Sequence, residues 1–265
     1  MIKPSLSIVI STISNNINYF LKRFNFHSLE DADEVLIIIQ GEGIMPCLDD
    51  DIFKKYNVII EKKIGLSVSR NLGIKHSSCE YIWFMDDDII LNNDAVNTVK
   101  ESLNKNHPDV LTVRTLFDND SPYKNYTNRI SMKKLDIINI SSVEIIVSRS
   151  KLIKCKIRFN EMLGLGASYP TCEENIFLLD LYDQGAKMIH ADKYVQKHPV
   201  KKRSSSFKDN NILIGKGIFC NKYGGITGLL ILTYWVFKAV SINGMNLMKN
   251  YNLIYGYKNA KSIIG

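Results

Sequence analysis

The first 115 residues alternate between two kinds of segment, which differ in length and in the spacing of their apolar residues. Short runs rich in β-branched and aromatic residues are typical of buried strands. Longer helix-like stretches separate these runs. The alternation predicts an α/β fold with a mixed, mostly parallel sheet flanked by helices. The predicted strands cover residues 6–10, 34–39, 58–61, 81–85 and 110–115, and the predicted helices cover residues 16–24, 50–56, 67–75 and 93–105.

This pattern changes in the second half of the chain. Residues 118–134 are polar and turn-rich, and a strand-like run at 143–147 and a helix-like run at 174–184 follow them. From residue 204 the chain is rich in Leu, Ile, Tyr and Asn, which favours a helical tail. Its most apolar stretch, residues 226–237, has about twelve residues where a membrane span needs roughly 20. We therefore expect the tail to pack on the core or to lie at a membrane surface.

Composition narrows the class of protein. With 265 residues, of which 45% are hydrophobic and 23% charged, the chain is suited to one large folded domain with appendages. The net charge of +7 favours attraction to phosphate groups or anionic lipid. The basic residues are dispersed and accompany no recognition motif, which argues against nucleic-acid binding. Five scattered cysteines and an N-terminus without signal-peptide features lead us to expect a cytoplasmic protein.

Three adjacent carboxylates, Asp86, Asp87 and Asp88, directly follow the predicted strand 81–85. In open α/β sheets, ligands bind beyond the carboxyl ends of the strands. Adjacent carboxylates repel one another unless a cation or hydrogen-bond donors neutralise them, and oxygen ligands favour Mg²⁺ or Mn²⁺. The run therefore predicts a divalent ion that holds a nucleotide diphosphate. The alternative is a solvated acidic turn that caps the next helix.

Upstream of the acidic run, Arg70 and Asn71 lie in a helix-like stretch that begins at Gly65. This stretch, the apolar strand after it and the acidic run resemble, in order and spacing, inverting glycosyltransferases of family 2. These enzymes have the GT-A fold, and their pattern is Arg-Asn-x-Gly, an apolar strand and an Asp-x-Asp motif. The resemblance covers about residues 5–200. It implies a GT-A catalytic domain at 1–203, with a nucleotide-sugar-binding half at 1–115 and an acceptor-binding half at 116–203, followed by the tail at 204–265.

The resemblance also implies the donor site. Ser11 and Thr12 end the first strand, where the family usually has a Pro-Thr pair, and Gln40 ends the second strand, where most members have Asp residues that recognise uracil. Asp88, as the second Asp of the motif, is the implied metal ligand, with Asp86 and His198. The segment before His198, from residue 187, resembles the strand, short turn and strand that end in a His in many family members. The implied nucleotide-sugar-binding residues are Ser11, Thr12, Gln40, Arg70, Asn71, Asp86 and Asp87.

A Gly-x-Gly loop followed by Glu173 and Glu174 resembles the family's acceptor-side region, in which one of two adjacent carboxylates is the catalytic base. Glu174 stands at the base position and Glu173 is the second candidate. A helix N-terminus favours ionised carboxylates, whereas mutual repulsion raises one pKa, and together these effects suit a base near neutral pH. An acidic first turn that only stabilises its helix is the alternative. The basic run from Lys201 to Arg203 either closes over the diphosphate or is a solvated surface.

We therefore expect a metal-dependent inverting glycosyltransferase that uses Mn²⁺ or Mg²⁺. It would move a sugar from a nucleotide-sugar donor, a UDP-sugar in the first instance, to a hydroxyl of a glycan or lipid-linked oligosaccharide. The family suggests bacterial surface polysaccharide assembly (O-antigen or capsule) at the inner face of the cell membrane. Trp and Tyr among aliphatic residues, with flanking lysines, favour peripheral membrane contact of the tail, and packing on the core is the alternative. A sugar-nucleotide pyrophosphorylase is an alternative, although residues 11–16 lack the Gly-rich loop it would need. A noncatalytic GT-A-like binding subunit is another.

Overall fold

The computed structural model describes residues 3–42, 51–200, 207–243 and 247–264, without the side chains of 247–249. The predicted basic loop from Lys201 to Arg203 lies outside these residues. The chain divides into two compact units. The first unit consists of Met1–Ile64, Val68–Arg158 and Leu181–Val200, and the second consists of Gly65–Ser67, Phe159–Asp180 and Lys201–Gly265.

A mixed sheet of eight strands organises the described part of the first unit. Its order is β3-β2-β1-β4-β7-β6-β8-β5, and the first four strands in this order are parallel. β7 is antiparallel to both β4 and β6, whereas β8 is parallel to β6, and β5 is antiparallel to β8. The strands are β1 (Leu6–Ile13), β2 (Glu34–Gln40), β3 (Asn57–Glu61), β4 (Tyr81–Asp86), β5 (Ile90–Leu91), β6 (Val110–Phe117), β7 (Ile145–Ser148) and β8 (Met188–His198).

The helices lie where the longer stretches between the strands predicted them, and the tail is helical in its described residues. Two short elements, β5 and α5, were not predicted. The helices are α1 (Ile17–Arg23), α2 (Asp51–Lys55), α3 (Leu66–His76), α4 (Ala95–Asn106), α5 (Arg149–Cys155), α6 (Glu173–Asp183), α7 (Asn210–Tyr223), α8 (Gly225–Asn243) and α9 (Leu247–Ile264).

Two predicted elements differ from the structure. The strand expected at 143–147 begins only at Ile145, because Ser142–Glu144 form a 3₁₀ turn. The segment before His198 resembled a strand, a short turn and a second strand, but it forms the single strand β8. Shifts in its pairing with β6 accommodate the irregularity that the sequence suggested, so a break in the strand is unnecessary.

The core of the first unit lies on the central strands. Seven of the eight residues of β1 are buried, as expected for a strand covered on both faces. Trp83 in β4 is fully buried, and its indole Nε1 donates a hydrogen bond to the carbonyl of Val143 at 3.0 Å. Gly73 lets α3 approach β1 closely, because a Cβ at that position would lie 2.3 Å from a methyl group of Val9. This packing fixes the helix that carries Arg70 against the central strand.

Close helix packing organises the tail in the second unit. A Cβ on Gly217 of α7 would lie 2.1 Å from the carbonyl oxygen of Leu253 in α9. A Cβ on Gly256 of α9 would lie at the same distance from the carbonyl oxygen of Ile214 in α7. Only glycine therefore permits this contact between the two backbones.

α8 is longer than the sequence estimate of about twelve apolar residues suggested. It has 19 residues, because the helix continues through Lys238 to Asn243. Its mean hydropathy reaches 1.6, and by length and composition alone it could cross a membrane. The length of α8 therefore does not exclude a membrane span. The packing of the helix has to distinguish a span from a surface helix.

Candidate functional site

The acidic run lies at the carboxyl end of β4, beside the end of β1. Asp86 pairs in register with Ser11 of β1. Oδ2 of Asp87 accepts hydrogen bonds from Oγ1 of Thr12 and from Nδ2 of Asn16, both at 2.6 Å. Asp87 therefore joins the turn after β4 to the segment after β1. Asn16 was not predicted, although its position just beyond the first strand, at the carboxyl edge of the sheet, was a usable signal.

Arg70 anchors the first carboxylate of the run. Its side chain is 1% exposed, and Nη2 lies 3.3 Å from Oδ1 of Asp86 and 2.7 Å from Oγ of Ser142. Burial raises the pKa of Asp86, and the charges of Asp88 and Asp87 add to this effect, whereas Arg70 and His198 oppose it. Arg70 thus places a buried positive charge behind the acidic run. Nothing in the sequence pattern pointed to Ser142.

Asp88 and His198 come together from distant parts of the chain. Oδ1 of Asp88 lies 4.0 Å from Nε2 of His198, the last residue of β8, and both side chains are largely buried. Nδ1 of His198 is 2.8 Å from the carbonyl oxygen of Pro199. A carbonyl only accepts, so Nδ1 carries the proton and Nε2 is the nitrogen that faces the carboxylate. The ring of Tyr123 packs against the imidazole, with 5.2 Å between ring centroids.

The donor set at this edge is compatible with a divalent ion bound jointly with a ligand. Within the described residues, no group of three or more His, Cys, Asp or Glu side chains is arranged to hold a metal by itself. A metal that is bound jointly with a ligand does not require three protein side chains, since Mg²⁺ is commonly bound by one or two carboxylates together with substrate phosphates. Asp88 and His198 place an oxygen and a nitrogen atom opposite each other, and these two atoms could take part in such a site.

The predicted nucleotide-binding residues on the first two strands make hydrogen bonds within the protein. Oγ of the buried Ser11 accepts a hydrogen bond from Oγ of Ser69 in α3 at 2.7 Å. Gln40 is also buried, and its Nε2 donates to the carbonyl of Lys63 at 2.8 Å. Asn71 is half-buried in α3. The nucleotide contacts expected of Ser11, Gln40 and Asn71 stay predictions.

In the second unit, Glu173 and Glu174 form the first turn of α6. Glu173 is buried beside Gly164, where a Cβ would lie 3.0 Å from its carboxyl carbon. Gly164 has a φ of +97°, a conformation that favours glycine, so the Gly-x-Gly loop can fold onto this carboxylate. Glu174 is only half-buried. The helix begins with a hydrogen bond from Ile176 N–H to the carbonyl of Cys172 at 3.0 Å.

Comparison with known proteins supports a class of enzyme. Residues 40–162 match the model of the family described as glycosyl transferase family 2. The fold is similar to the crystal structure of residues 1–349 of TarS from S. aureus, with a TM-score of 0.70 at 15% identity, over 98% of this chain and 81% of that one. The complex of the same TarS fragment with UDP-GlcNAc gives a TM-score of 0.66 at 16% identity, over 98% and 82%.

A longer TarS structure gives a TM-score of 0.63 at 16% identity, over 97% of this chain and 43% of that one. This chain therefore spans less than half of that longer chain. No curated protein sequence matches it.

The family match and the shared fold together define the class: the protein is an enzyme that transfers glycosyl groups. The match over residues 40–162 supports a relationship to glycosyl transferase family 2, and the similarity to TarS supports the GT-A fold. The predicted family, fold class and enzyme class are thereby confirmed.

Proposed function

We propose that the protein is a metal-dependent, inverting glycosyltransferase that uses a UDP-sugar. The observation that carries the proposal is the Asp88–His198 pair at the carboxyl edge of the sheet, with Nε2 of the imidazole facing Oδ1 of the carboxylate at 4.0 Å. Because Nδ1 is directed at the carbonyl of Pro199, Nε2 is the ring nitrogen that a metal would take. A cation between Nε2 and the carboxylate oxygen would be bound by both side chains.

Asp88 and His198 would hold the metal, and Asp86 would lie beside it with Arg70 behind. Mg²⁺ prefers oxygen ligands, so the imidazole nitrogen favours Mn²⁺ over Mg²⁺. A bound divalent ion would neutralise the negative charge that develops on the departing diphosphate. Arg70 would orient Asp86. Asp87 would hold the turn after β4 in place through the hydrogen bonds that it accepts from Thr12 and Asn16.

The nucleotide would lie over the ends of β1 and β2, near Ser11, Thr12 and Gln40. The fold shared with TarS, whose structure in complex with UDP-GlcNAc is known, supports a UDP-sugar as the donor. We assign the acceptor to the glycans or lipid-linked oligosaccharides of bacterial surface polysaccharides, O-antigen or capsule, made at the inner face of the cell membrane. This assignment rests on the role of similar small enzymes in which the same sequence motifs occur.

Glu174 would remove the proton from the acceptor hydroxyl as its oxygen attacks the anomeric carbon from the face opposite the leaving group. The new carbon–oxygen bond forms as the bond to the diphosphate breaks, so the anomeric configuration inverts. The half-buried position of Glu174 suits a group that meets an acceptor, whereas Glu173 is buried under Gly164. A helix N-terminus favours the ionised carboxylate that a base requires.

Hydrolysis of a panel of nucleotide sugars, measured with Mn²⁺ and with EDTA, tests the proposal. A glycosyltransferase slowly releases nucleoside diphosphate and free sugar from its own donor, and EDTA should abolish this release. The anomer released, followed by NMR at early times, reports inversion. A pyrophosphorylase would instead release sugar 1-phosphate when pyrophosphate is added. Binding of UDP without any turnover would identify a noncatalytic subunit, and either result would overturn the proposal.

A further inference from the structure

One face of α8 is apolar and exposed. Ile226 is 78% exposed, Leu230 63%, Tyr234 62% and Phe237 71%. These residues recur at spacings of three and four, so they share one side of the helix. Soluble monomeric proteins rarely expose a contiguous apolar surface of this kind without a partner.

The opposite side of α8 is packed against other helices of the second unit. Ala239 is buried in a cluster with Phe207, Leu213 and Leu253, and Leu232 and Trp235 pack against the same cluster. Gly228 approaches α7 so closely that a Cβ there would lie 2.4 Å from the carbonyl oxygen of Cys220. A helix held along one side in this way lies flat on its unit. Its packing therefore favours a surface helix over a membrane span.

The charge of the tail identifies the partner. Residues 204–265 contain seven lysines and a single acidic residue, Asp209, so most of the net charge of the chain lies in this segment. On α9, Lys258 is exposed on the same face as Tyr251 and Tyr255. Tyrosines beside lysines, next to an apolar helix face, are typical of surfaces that bind at the interface of an anionic membrane. A second copy of the chain would instead bring like charges together.

We propose that the exposed faces of α8 and α9 form a docking surface for an anionic lipid bilayer. The side chains of Ile226, Leu230, Tyr234 and Phe237 enter the headgroup and acyl boundary, and Lys258 contacts lipid phosphates. The surface is defined by these four residues of α8 and by Tyr251, Tyr255 and Lys258 of α9.

The second unit connects this docking surface to the candidate base. A Cβ on Gly215 of α7 would lie 2.7 Å from Cγ2 of Thr171, just before α6. Lys222 of α7 forms a 2.5 Å ion pair with Asp180 of α6. Docking would therefore hold the first turn of α6 at a fixed place relative to the lipid. This consequence rests on the proposed function, and it selects an acceptor that is itself anchored in the bilayer.

Flotation with preformed vesicles tests the docking surface directly, with no need for enzyme activity. The full chain should float with vesicles that contain phosphatidylglycerol at low salt, and it should be released at high salt. The double variant Leu230→Gln/Phe237→Gln should lower vesicle partitioning by about tenfold or more, because two exposed apolar anchors are lost. Ile130→Gln/Leu135→Gln is a matched control, since these first-unit residues are 65% and 58% exposed. The control should float like the wild type.

The outcomes separate this inference from its competitors. Failure of the wild type to float, or equal flotation of the Leu230→Gln/Phe237→Gln variant, would overturn it. If the wild type does not float, and light scattering shows that it self-associates whereas the same variant does not, the face binds a second copy of the chain. A chain that stays soluble only in detergent and resists alkaline extraction would have a spanning helix. Donor hydrolysis should be unchanged in the double variant, because neither residue belongs to the candidate active site. If the wild type shows no donor hydrolysis, that result refutes the proposed function and not the docking surface.

Discussion

Nε2 of His198, at the end of β8, faces Oδ1 of Asp88, in the turn after β4, at a distance of 4.0 Å. The two strands are not neighbours in the sheet, since β7 and β6 lie between them. The contact forms because the turn after β4 leads into β5, which pairs with the end of β8: Ile90 lies opposite Lys197. A two-residue strand thus brings the acidic run to the histidine.

Replacing Asp88 by Ala should nearly abolish transfer and remove the Mn²⁺ dependence of UDP binding, because the ion loses a directly bonded anionic oxygen. Calorimetric titration of UDP, with and without Mn²⁺, measures the second effect. Asp94→Ala removes an exposed carboxylate near the same turn and should leave both properties intact. Full transfer activity in Asp88→Ala would refute the metal assignment.

Glu174→Gln should lower turnover by on the order of 10²-fold or more and leave donor binding nearly unchanged, as expected when a general base is lost. Steady-state kinetics and UDP-sugar titration measure the two effects separately. Glu173→Gln is the matched control, because it makes the same change one residue earlier. If only Glu173→Gln shows the kinetic defect, the base is Glu173, and if neither does, the base lies elsewhere.

Arg70→Ala should destabilise the fold by about 1.5–3 kcal/mol, the usual range for lost hydrogen bonds to a charged group. The buried guanidinium contacts both Asp86 and Ser142, so the variant would leave Asp86 without this cation. Urea unfolding gives the change in free energy. Ser142→Ala removes only the contact with Ser142 and should cost less. An Arg70→Ala protein as stable as the wild type would show that the contact contributes nothing.

The environment of His190 and Asp136 leads us to expect that the folded protein loses stability in mild acid. Burial lowers the pKa of His190 despite the nearby carboxylates of Asp136 and Glu144, and Arg129 adds to the lowering. Below the ordinary His pKa of about 6.5, the unfolded chain binds a proton that the folded chain resists, so stability falls with pH. Burial would raise the pKa of Asp136, but hydrogen bonds from Lys133 N–H and His190, together with Arg129, hold it below its usual value.

The Asp136 contribution therefore has the same sign and appears at lower pH, below about 4, the ordinary Asp pKa. Urea unfolding of the wild type and His190→Gln across the range from about pH 7.5 to 5 isolates the histidine part. The wild type should lose stability more steeply with falling pH than the variant. His76→Gln changes an exposed histidine and should follow the wild type. Parallel curves for the wild type and His190→Gln would contradict the prediction.

The sequence alone determined most of the strands, the family resemblance and the candidate chemistry. Continuous apolar runs such as those at 34–39 and 81–85 predict buried strands within one residue of β2 and β4, because burial on both faces leaves a local signal. The acidic run after β4 and the Arg70-Asn71 pair gave the family resemblance without any structure. The apolar run in the tail likewise predicted a helix, although not its length.

Only the tertiary structure decided which of these residues meet. The pairing of β5 with β8, the contact of Asn16 with Asp87 and the contact of Arg70 with Ser142 join segments whose separation along the chain leaves no periodic signal. The same holds for α8, in which apolar residues occur on all sides of the helix. Which face is exposed depends on how closely Gly228 and Ala239 pack against the neighbouring helices. Local sequence patterns specify which residues a segment can bury. Long-range packing specifies which other segments those residues pack against.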